Sequence, residues 1–148
     1  MSELNDNMIK IIEEGIPFVK RTGLKLLKLD KGYVKLSCPI KGNENHIGTM
    51  YAGALFTLAE IPGGAICWSS FDLSKFFPII KEMNISYRKP VTTDAYVEFS
   101  LSPEEITRIE DEATSKGKSD FILEGELKDE SGQVVALSKG LYQLRLSK

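Results

Sequence analysis

The sequence has little of the residue types from which most metal and nucleophile sites are built. It holds one histidine, His46, and two cysteines, Cys38 and Cys67, among 148 residues. A histidine-rich metal site is therefore excluded, and a structural role for His46 is favoured over a catalytic one. The cysteines lack the CxxC spacing of a redox or zinc site and lie in apolar patterns. We expect two buried free thiols in a cytoplasmic protein, with a disulfide as the alternative.

Long hydrophobic runs and strong charge are also missing. No apolar stretch approaches the ~20 residues needed to span a bilayer, and the polar N-terminus lacks the apolar core of a signal peptide. The formal net charge is −2 and the lysines are scattered, so neither nucleic acid nor a membrane is an expected partner. With 42% hydrophobic residues, the chain has enough apolar side chains for one domain, residues 1–148, with a real core.

Hydrophobic periodicity predicts an α+β fold. Helical spacing covers residues 3–14, with Gly15 and Pro17 ending the helix. Residues 50–70 are apolar almost all round, which is typical of a helix surrounded by protein, and Pro62 is expected to kink it. Alternating residues predict strands at 24–29 (with a bulge), 34–40, 83–87, 95–101, 121–127 and 134–146, while 103–114 is a short polar helix or an extended excursion. An antiparallel sheet of five to six strands would then curl around the long central helix.

The stretch from Asn45 to Glu60 carries the functional signal. It reads Asn-His-Ile-Gly-Thr-Met-Tyr-Ala-Gly-Ala-Leu-Phe-Thr-Leu-Ala-Glu, so a small-residue turn opens an apolar helix that bears a carboxylate about two turns along. A helix start leaves backbone N–H groups unpaired, and the helix dipole attracts negative charge there. An oxyanion-binding N–H and a carboxylate that acts as base or nucleophile are the parts needed to hydrolyse an activated carbonyl.

This stretch, with the order and length of the predicted elements, resembles the hotdog-fold acyl-CoA thioesterases, such as those of phenylacetate catabolism and 4-hydroxybenzoyl-CoA hydrolysis. The resemblance covers nearly the whole chain. Gly-Thr-Met-Tyr-Ala-Gly…Leu-Ala-Glu is most similar to a bacterial branch with poorly defined substrates, which includes domains fused to acetyltransferases. The resemblance implies a hotdog fold that hydrolyses an acyl-CoA or related thioester to free acid and thiol, and we expect no cofactor and no metal.

The resemblance also implies roles for individual residues. Glu60 stands at the position of the catalytic carboxylate, and Asn45 at that of an amide that positions substrate or water. Ala52 stands where the family has a glycine whose backbone N–H polarises the thioester carbonyl, and Gly53 matches a second glycine. Tyr51 replaces the usual histidine, which is the main departure from the family pattern. A further Ser or Thr of the family falls near Ile80 and is absent.

Bulky apolar residues are expected to line the substrate pocket. Met50, Tyr51 and Phe56 lie near the helix start and predict an acyl slot for a medium chain or an aryl ring. The phosphates of coenzyme A would bind lysine or arginine at a groove edge. Four cations without motif support are candidates: Arg88, Lys89, Lys116 and Lys118.

Spacing along the helix predicts that the site is shared between subunits. Ala52 and Glu60 are eight residues apart, which is about 12 Å along one helix. Both cannot contact one carbonyl, because each contact needs about 3 Å. A homodimer or a dimer of dimers with antiparallel central helices would bring one chain's Ala52 to the other chain's Glu60.

Two other functions remain open on the sequence alone. A catalytically silent hotdog domain would bind acyl-CoA or a lipid-like ligand without cleaving it. A hydratase or dehydratase of the same fold would use a histidine with an acidic partner, and His46 has no such context.

Overall fold

Six antiparallel strands form one sheet in the computed structural model, which describes residues 6–148. The strand order is β1-β2-β4-β5-β6-β3. In chain order the elements are α1 (Asp6–Glu14), α2 (Pro17–Thr22), β1 (Lys25–Asp30), β2 (Tyr33–Cys38), α3 (Ala52–Ser70), β3 (Phe76–Tyr87), β4 (Ala95–Ser100), α4 (Pro103–Lys116), β5 (Lys118–Lys128) and β6 (Val134–Leu146).

The long hairpin of β5 and β6 lies within the sheet, between β4 and β3. Its register runs from Lys118 opposite Arg145 to Lys128 opposite Val134. On the far side of β6, the 12-residue strand β3 pairs along its whole length and forms one edge of the sheet. One side of β3 therefore carries backbone groups that pair with no other strand of the described chain.

The central helix α3 lies across the sheet and packs against all six strands. Its side chains Leu58, Ile66 and Cys67 are fully buried in the core. The opposite side of α3 is not covered by residues 6–148. A stripe at four-residue spacing is exposed or half-buried, and we call it the α3 stripe: Ala52, Phe56, Glu60, Gly64 and Trp68. The sequence predicted a helix surrounded by protein, and one chain leaves this stripe open.

The predicted architecture is confirmed: an α+β fold with a long central helix and a six-stranded antiparallel sheet. The bulge in β1 lies between Leu26 and Lys28, and α1 ends at Glu14 as expected. Residues 3–5 of the first predicted helix lie outside the described residues. Helix α3 is continuous with Pro62 in its interior, and the kink expected there stays a prediction.

Several boundaries differ from the predicted ones, and β5 starts at Lys118 rather than at 121. Pro17 does not only end a helix; it also begins α2, because proline is well suited to the first helical turn. Strand β3 starts at Phe76, well before the predicted position, and β2 ends at Cys38, before Pro39. The open segment after residue 102 is the helix α4, whose first turn is capped by the Ser102 hydroxyl accepting the Glu105 N–H.

Candidate active site

The first turn of α3 has two free backbone donors. Tyr51 is the N-cap residue, with φ −61° and ψ 138°, and its side chain caps nothing. The N–H groups of Ala54 and Leu55 donate to the Tyr51 carbonyl at 3.0 and 3.2 Å, whereas those of Ala52 and Gly53 donate to no group in residues 6–148. No acidic residue lies in this turn. The helix start is thus an uncompensated positive end that can bind an oxyanion.

A cavity of about 320 Å³ lies beside this helix start. Its walls are mainly apolar, and two cations follow Tyr87 at the end of β3 along its rim. The lining residues are Ile47, Thr49, Met50, Ala52, Leu55, Tyr87, Arg88, Lys89, Pro90 and Val91. The structure therefore places the predicted residues Ala52 and Met50 in one cavity with two of the four candidate cations.

Two tyrosines flank the helix start. The Tyr87 hydroxyl donates to the Ala52 carbonyl at 3.1 Å, and the ring of Tyr51 lies over Gly53, where a Cβ would overlap it. Tyr51 also lines a second cavity, of about 250 Å³, together with Phe18 and Arg21. Gly53 thus leaves room for the Tyr51 ring, and the substrate-binding roles of Gly53 and Tyr51 stay predictions.

Glu60 is a half-buried carboxylate without a partner in residues 6–148. Its side chain makes neither a hydrogen bond nor an ion pair with the described residues, and burial raises its pKa above the ordinary 4.5. Its backbone carbonyl accepts a hydrogen bond from the Tyr142 hydroxyl at 2.9 Å. A desolvated carboxylate held without a cation is suited to proton transfer, since its raised pKa makes it a stronger base.

Asn45 organises the loop that precedes α3. Its side-chain oxygen accepts the N–H groups of Ile47 and Thr49 at 3.0 and 3.1 Å, and its amide nitrogen donates to the Thr49 hydroxyl at 2.8 Å. The turn places Gly48 at φ +87°, a region that favours glycine. The amide oxygen is therefore engaged within the loop, and the substrate-positioning role of Asn45 stays a prediction.

The remaining sequence candidates lie in different environments. Met50 is 3% exposed and belongs to both the core and the cavity wall, while Phe56 is 39% exposed on the α3 stripe. Cys38 and Cys67 are buried free thiols, as predicted. His46 is exposed in the loop before α3. No group of three or more histidine, cysteine or acidic residues in residues 6–148 is arranged to hold a metal ion.

Ala52 and Glu60 are not brought together within one chain. Both lie on the continuous helix α3, so the separation of about 12 Å holds. A larger cavity of about 520 Å³ lies near β4 and β5, and none of the predicted site residues lines it.

Sequence reasoning missed the two tyrosine hydroxyls that bind α3. Tyr87 is 35 residues from Ala52, and Tyr142 is 82 residues from Glu60. Both tyrosines lie in predicted strands, but only the register of β3 and β6 shows that they reach the helix. No signal in a single sequence could have paired them.

Comparison with known proteins identifies the family. The family described as "Putative thioesterase (yiiD_Cterm)" matches residues 5–145. The chain belongs to this family. A solved structure from Pseudomonas aeruginosa, described as a protein of unknown function and probable thioesterase, is 50% identical, with 99% of each chain covered and a TM-score of 0.94. No curated protein matches the sequence.

Two more distant solved structures share the fold and are described as a putative thioesterase and a thioesterase. One, from Shewanella oneidensis, is 22% identical over 97% of this chain and all of its own, with a TM-score of 0.79. Another, from Haemophilus influenzae, is 10% identical over 99% of this chain and 93% of its own, with a TM-score of 0.76. At these identities the likeness shows the hotdog fold alone.

Membership of the thioesterase family supports thioester hydrolysis as the chemistry of this chain. None of the helices in residues 6–148 is long and apolar enough to cross a membrane.

Proposed function

We propose that this protein hydrolyses an acyl-CoA thioester to a free acid and coenzyme A, at a site built by two copies of the chain. One observation carries the proposal. The open N–H of Ala52 and the unpaired carboxylate of Glu60 are both on the uncovered stripe of one helix, yet about 12 Å apart. A second, antiparallel copy of α3 would bring Ala52 of each chain to Glu60 of the other chain.

The uncovered surfaces support a second copy of this chain as the partner. The α3 stripe carries the exposed aromatic residues Phe56 and Trp68, which stabilise interfaces when buried. Strand β3 packs beside α3 and presents an unpaired edge with Phe77 and Ile80 exposed. A long apolar edge strand is a template for pairing with another chain. Stripe and edge together offer one continuous surface for a symmetric dimer.

The proposed chemistry uses the two halves of the site in one step. The Ala52 N–H of one copy donates to the developing oxyanion, and the positive end of α3 stabilises its charge. Glu60 of the other copy takes a proton from the water that attacks the carbonyl, or attacks the carbonyl itself to form a mixed anhydride, which water then hydrolyses to the free acid and the regenerated carboxylate. The C–S bond then breaks, and the sulfur leaves as the coenzyme A thiol after taking up a proton. Asn45 keeps one amide hydrogen free of the loop for water or thioester.

The cavity at the start of α3 supports coenzyme A as the thiol carrier. Its apolar walls suit the acyl and pantetheine chains, and Arg88 and Lys89 stand at its rim. Arginine binds phosphate through paired N–H donors and lysine as a point charge. Of the four candidate cations, these two alone line the cavity that contains Ala52.

Release of free thiol from a panel of acyl-CoA esters tests the proposal. Wild-type protein and the exposed-glutamate control Glu124→Gln should turn over, and Glu60→Gln should lose at least about 100-fold in kcat. Binding of acyl-CoA without thiol release would instead identify a catalytically silent domain. Glu60→Gln retaining most of the wild-type turnover would contradict the mechanism.

A further inference from the structure

We propose that Tyr142 is a positioning residue that fixes the turn of α3 carrying the Glu60 carboxylate. The inference rests on the proposed function of Glu60. Its basis is a single hydrogen bond, in which the Tyr142 hydroxyl on β6 donates to the Glu60 backbone carbonyl at 2.9 Å. The partners are separated by 82 residues, so the bond ties the helix to the sheet at the position of the carboxylate.

The ring of Tyr142 has no freedom to move its hydroxyl elsewhere. Tyr142 is 2% exposed, and its ring stacks on Phe121 with centroids 5.7 Å apart. Two glycines leave the space that the ring occupies, because a Cβ at Gly63 or at Gly140 would overlap it. A buried tyrosine hydroxyl needs a hydrogen-bond partner, and the packing gives it the carbonyl of Glu60.

Helix α3 lacks one of its own hydrogen bonds in this turn. Pro62 lies inside α3 and has no N–H, so the carbonyl four residues earlier, of Leu58, loses its helical partner. Proline also crowds the preceding turn, which is the turn that contains Glu60. The Tyr142 hydroxyl binds the Glu60 carbonyl, two residues after the Leu58 carbonyl, and so holds the same turn of α3 in which one helical hydrogen bond is missing. Rotation and axial position of this turn decide where the Glu60 side chain points.

The position of the Glu60 side chain matters because, in the proposed mechanism, it acts on a thioester held by the other chain. The Glu60 carboxylate must reach the carbonyl held at another chain's helix start, and catalysis is sensitive to displacements of about 1 Å. Loss of the Tyr142 hydroxyl is therefore expected to lower kcat for hexanoyl-CoA by about tenfold. KM should stay near its wild-type value, because Tyr142 lines neither cavity at the helix start.

Tyr142→Phe removes only the hydroxyl and keeps the buried ring. The matched control is Tyr33→Phe, which loses a tyrosine hydrogen bond to Glu98 between strands β2 and β4. Hydrogen exchange gives a second readout that does not depend on turnover. In Tyr142→Phe, amide exchange should accelerate at the amides of residues 60–61 and 63–66 of α3, whereas the hairpin of β5 and β6 should keep its protection.

The outcomes separate this proposal from the proposed function. If wild-type and Tyr33→Phe are active, Glu60→Gln is not, and Tyr142→Phe keeps the wild-type kcat, only the positioning role is wrong. Exchange that accelerates evenly over the whole protein, or failure of Tyr142→Phe to fold, would assign the hydroxyl to global stability and also overturn it. If wild-type protein releases no thiol from any ester, the function of Glu60 fails and the positioning role with it.

Discussion

The ring of Tyr142 lies against Gly63 so closely that a Cβ at Gly63 would overlap two ring carbons and the hydroxyl oxygen. Tyr51 lies over Gly53 in the same way at the start of the helix. The two rings differ in freedom, since Tyr142 is 2% exposed and Tyr51 is 59% exposed. The buried ring has nowhere to go if a methyl group is added, whereas the exposed ring can swing into solvent.

Alanine at the two glycines should therefore differ in its effect on stability. Gly63→Ala should lower the free energy of unfolding by about 1–2 kcal/mol, because overpacking outweighs the better helix propensity of alanine. Gly53→Ala should be neutral or raise it by up to about 1 kcal/mol, because only a mobile ring is displaced. Urea unfolding of both variants measures the difference. Equal stabilisation by the two substitutions would show that the Tyr142 ring is not fixed.

The fold was predictable wherever the hydrophobic pattern of a segment was that of one type of element. Residues 134–146 alternate cleanly and form one strand, and the apolar segment ending at Ser70 forms α3. The first half of β3 was missed because Phe76 to Lys81 has no alternation, and the strand register shifts between Ile80 and Glu82. Helix α2 does not follow from the sequence pattern, because Pro17 after Gly15 is typical of a helix stop, although proline also fits a first helical turn.

The sequence predicted the spacing of site residues within one helix, but not the contacts that other elements make with that helix. Ala52 and Glu60 lie on one helix, so their separation followed from residue spacing alone. The contacts of Tyr87 and Tyr142 with that helix depend on how β3 and β6 are placed in the sheet. Arg88 could not be preferred over the other candidate cations either. The sequence does not show that Arg88 and Ala52 line the same cavity.

Because burial raises the pKa of Glu60, Glu60→Gln should be more stable than the wild-type protein at neutral pH although it is less active. A carboxyl group whose folded-state pKa is raised stabilises the fold below its unfolded pKa, and this contribution is lost as pH rises through the folded pKa. Glu60→Gln should therefore raise the Tm at pH 7, and the difference from wild type should vanish below pH 4.5. Thermal unfolding from pH 4 to 8 measures it. A lower Tm for Glu60→Gln at pH 7 would show that the carboxylate has a stabilising partner.

The wild-type pH profile provides the matching kinetic check. If ionised Glu60 is required, kcat/KM should fall on the acid side at a pH above 4.5. An acid limb at or below 4.5 would mean that Glu60 is not the ionising group.

Proline at position 52 removes the proposed oxyanion donor with little cost to the helix. Ala52 is the first helical residue, where proline is well tolerated, and Tyr51 already has the extended ψ of 138° that a residue before proline prefers. Ala52→Pro should lower kcat by about 100-fold or more. Ala52→Gly keeps the N–H and is the matched control, which should stay active.

Mixed subunits then decide whether the site is shared. Equal amounts of Ala52→Pro and Glu60→Gln chains, unfolded and refolded together, should regain about a quarter of wild-type activity, since half of the dimers hold one intact site of two. Sites contained within single chains would give no recovery. A fully active monomer in sedimentation would also remove the shared site.

Arg88 and Lys89 should matter only for substrates that carry phosphates. The double variant Arg88→Gln/Lys89→Gln should lower kcat/KM for hexanoyl-CoA by about tenfold for each charge-assisted hydrogen bond lost. Hexanoyl N-acetylcysteamine lacks phosphates, so the double variant should hydrolyse it as fast as the wild-type protein does. Lys116→Gln/Lys118→Gln is the matched control, because neither residue lines the cavity at Ala52. An equal loss on both substrates would remove these cations from coenzyme A recognition.

The apolar cavity wall predicts a preference for long or aromatic acyl groups. Met50 and Leu55 are almost fully buried where they line the cavity beside Ala52, and Val91 completes that wall. Each methylene buried against such a surface contributes about 0.8 kcal/mol. The value of kcat/KM should therefore rise about fourfold per methylene from acetyl-CoA until the slot is full, and phenylacetyl-CoA should also exceed acetyl-CoA. Steady-state thiol release across the acyl series measures this trend. A kcat/KM for acetyl-CoA that equals or exceeds the values for hexanoyl- to decanoyl-CoA and phenylacetyl-CoA would show that these side chains do not form the acyl slot.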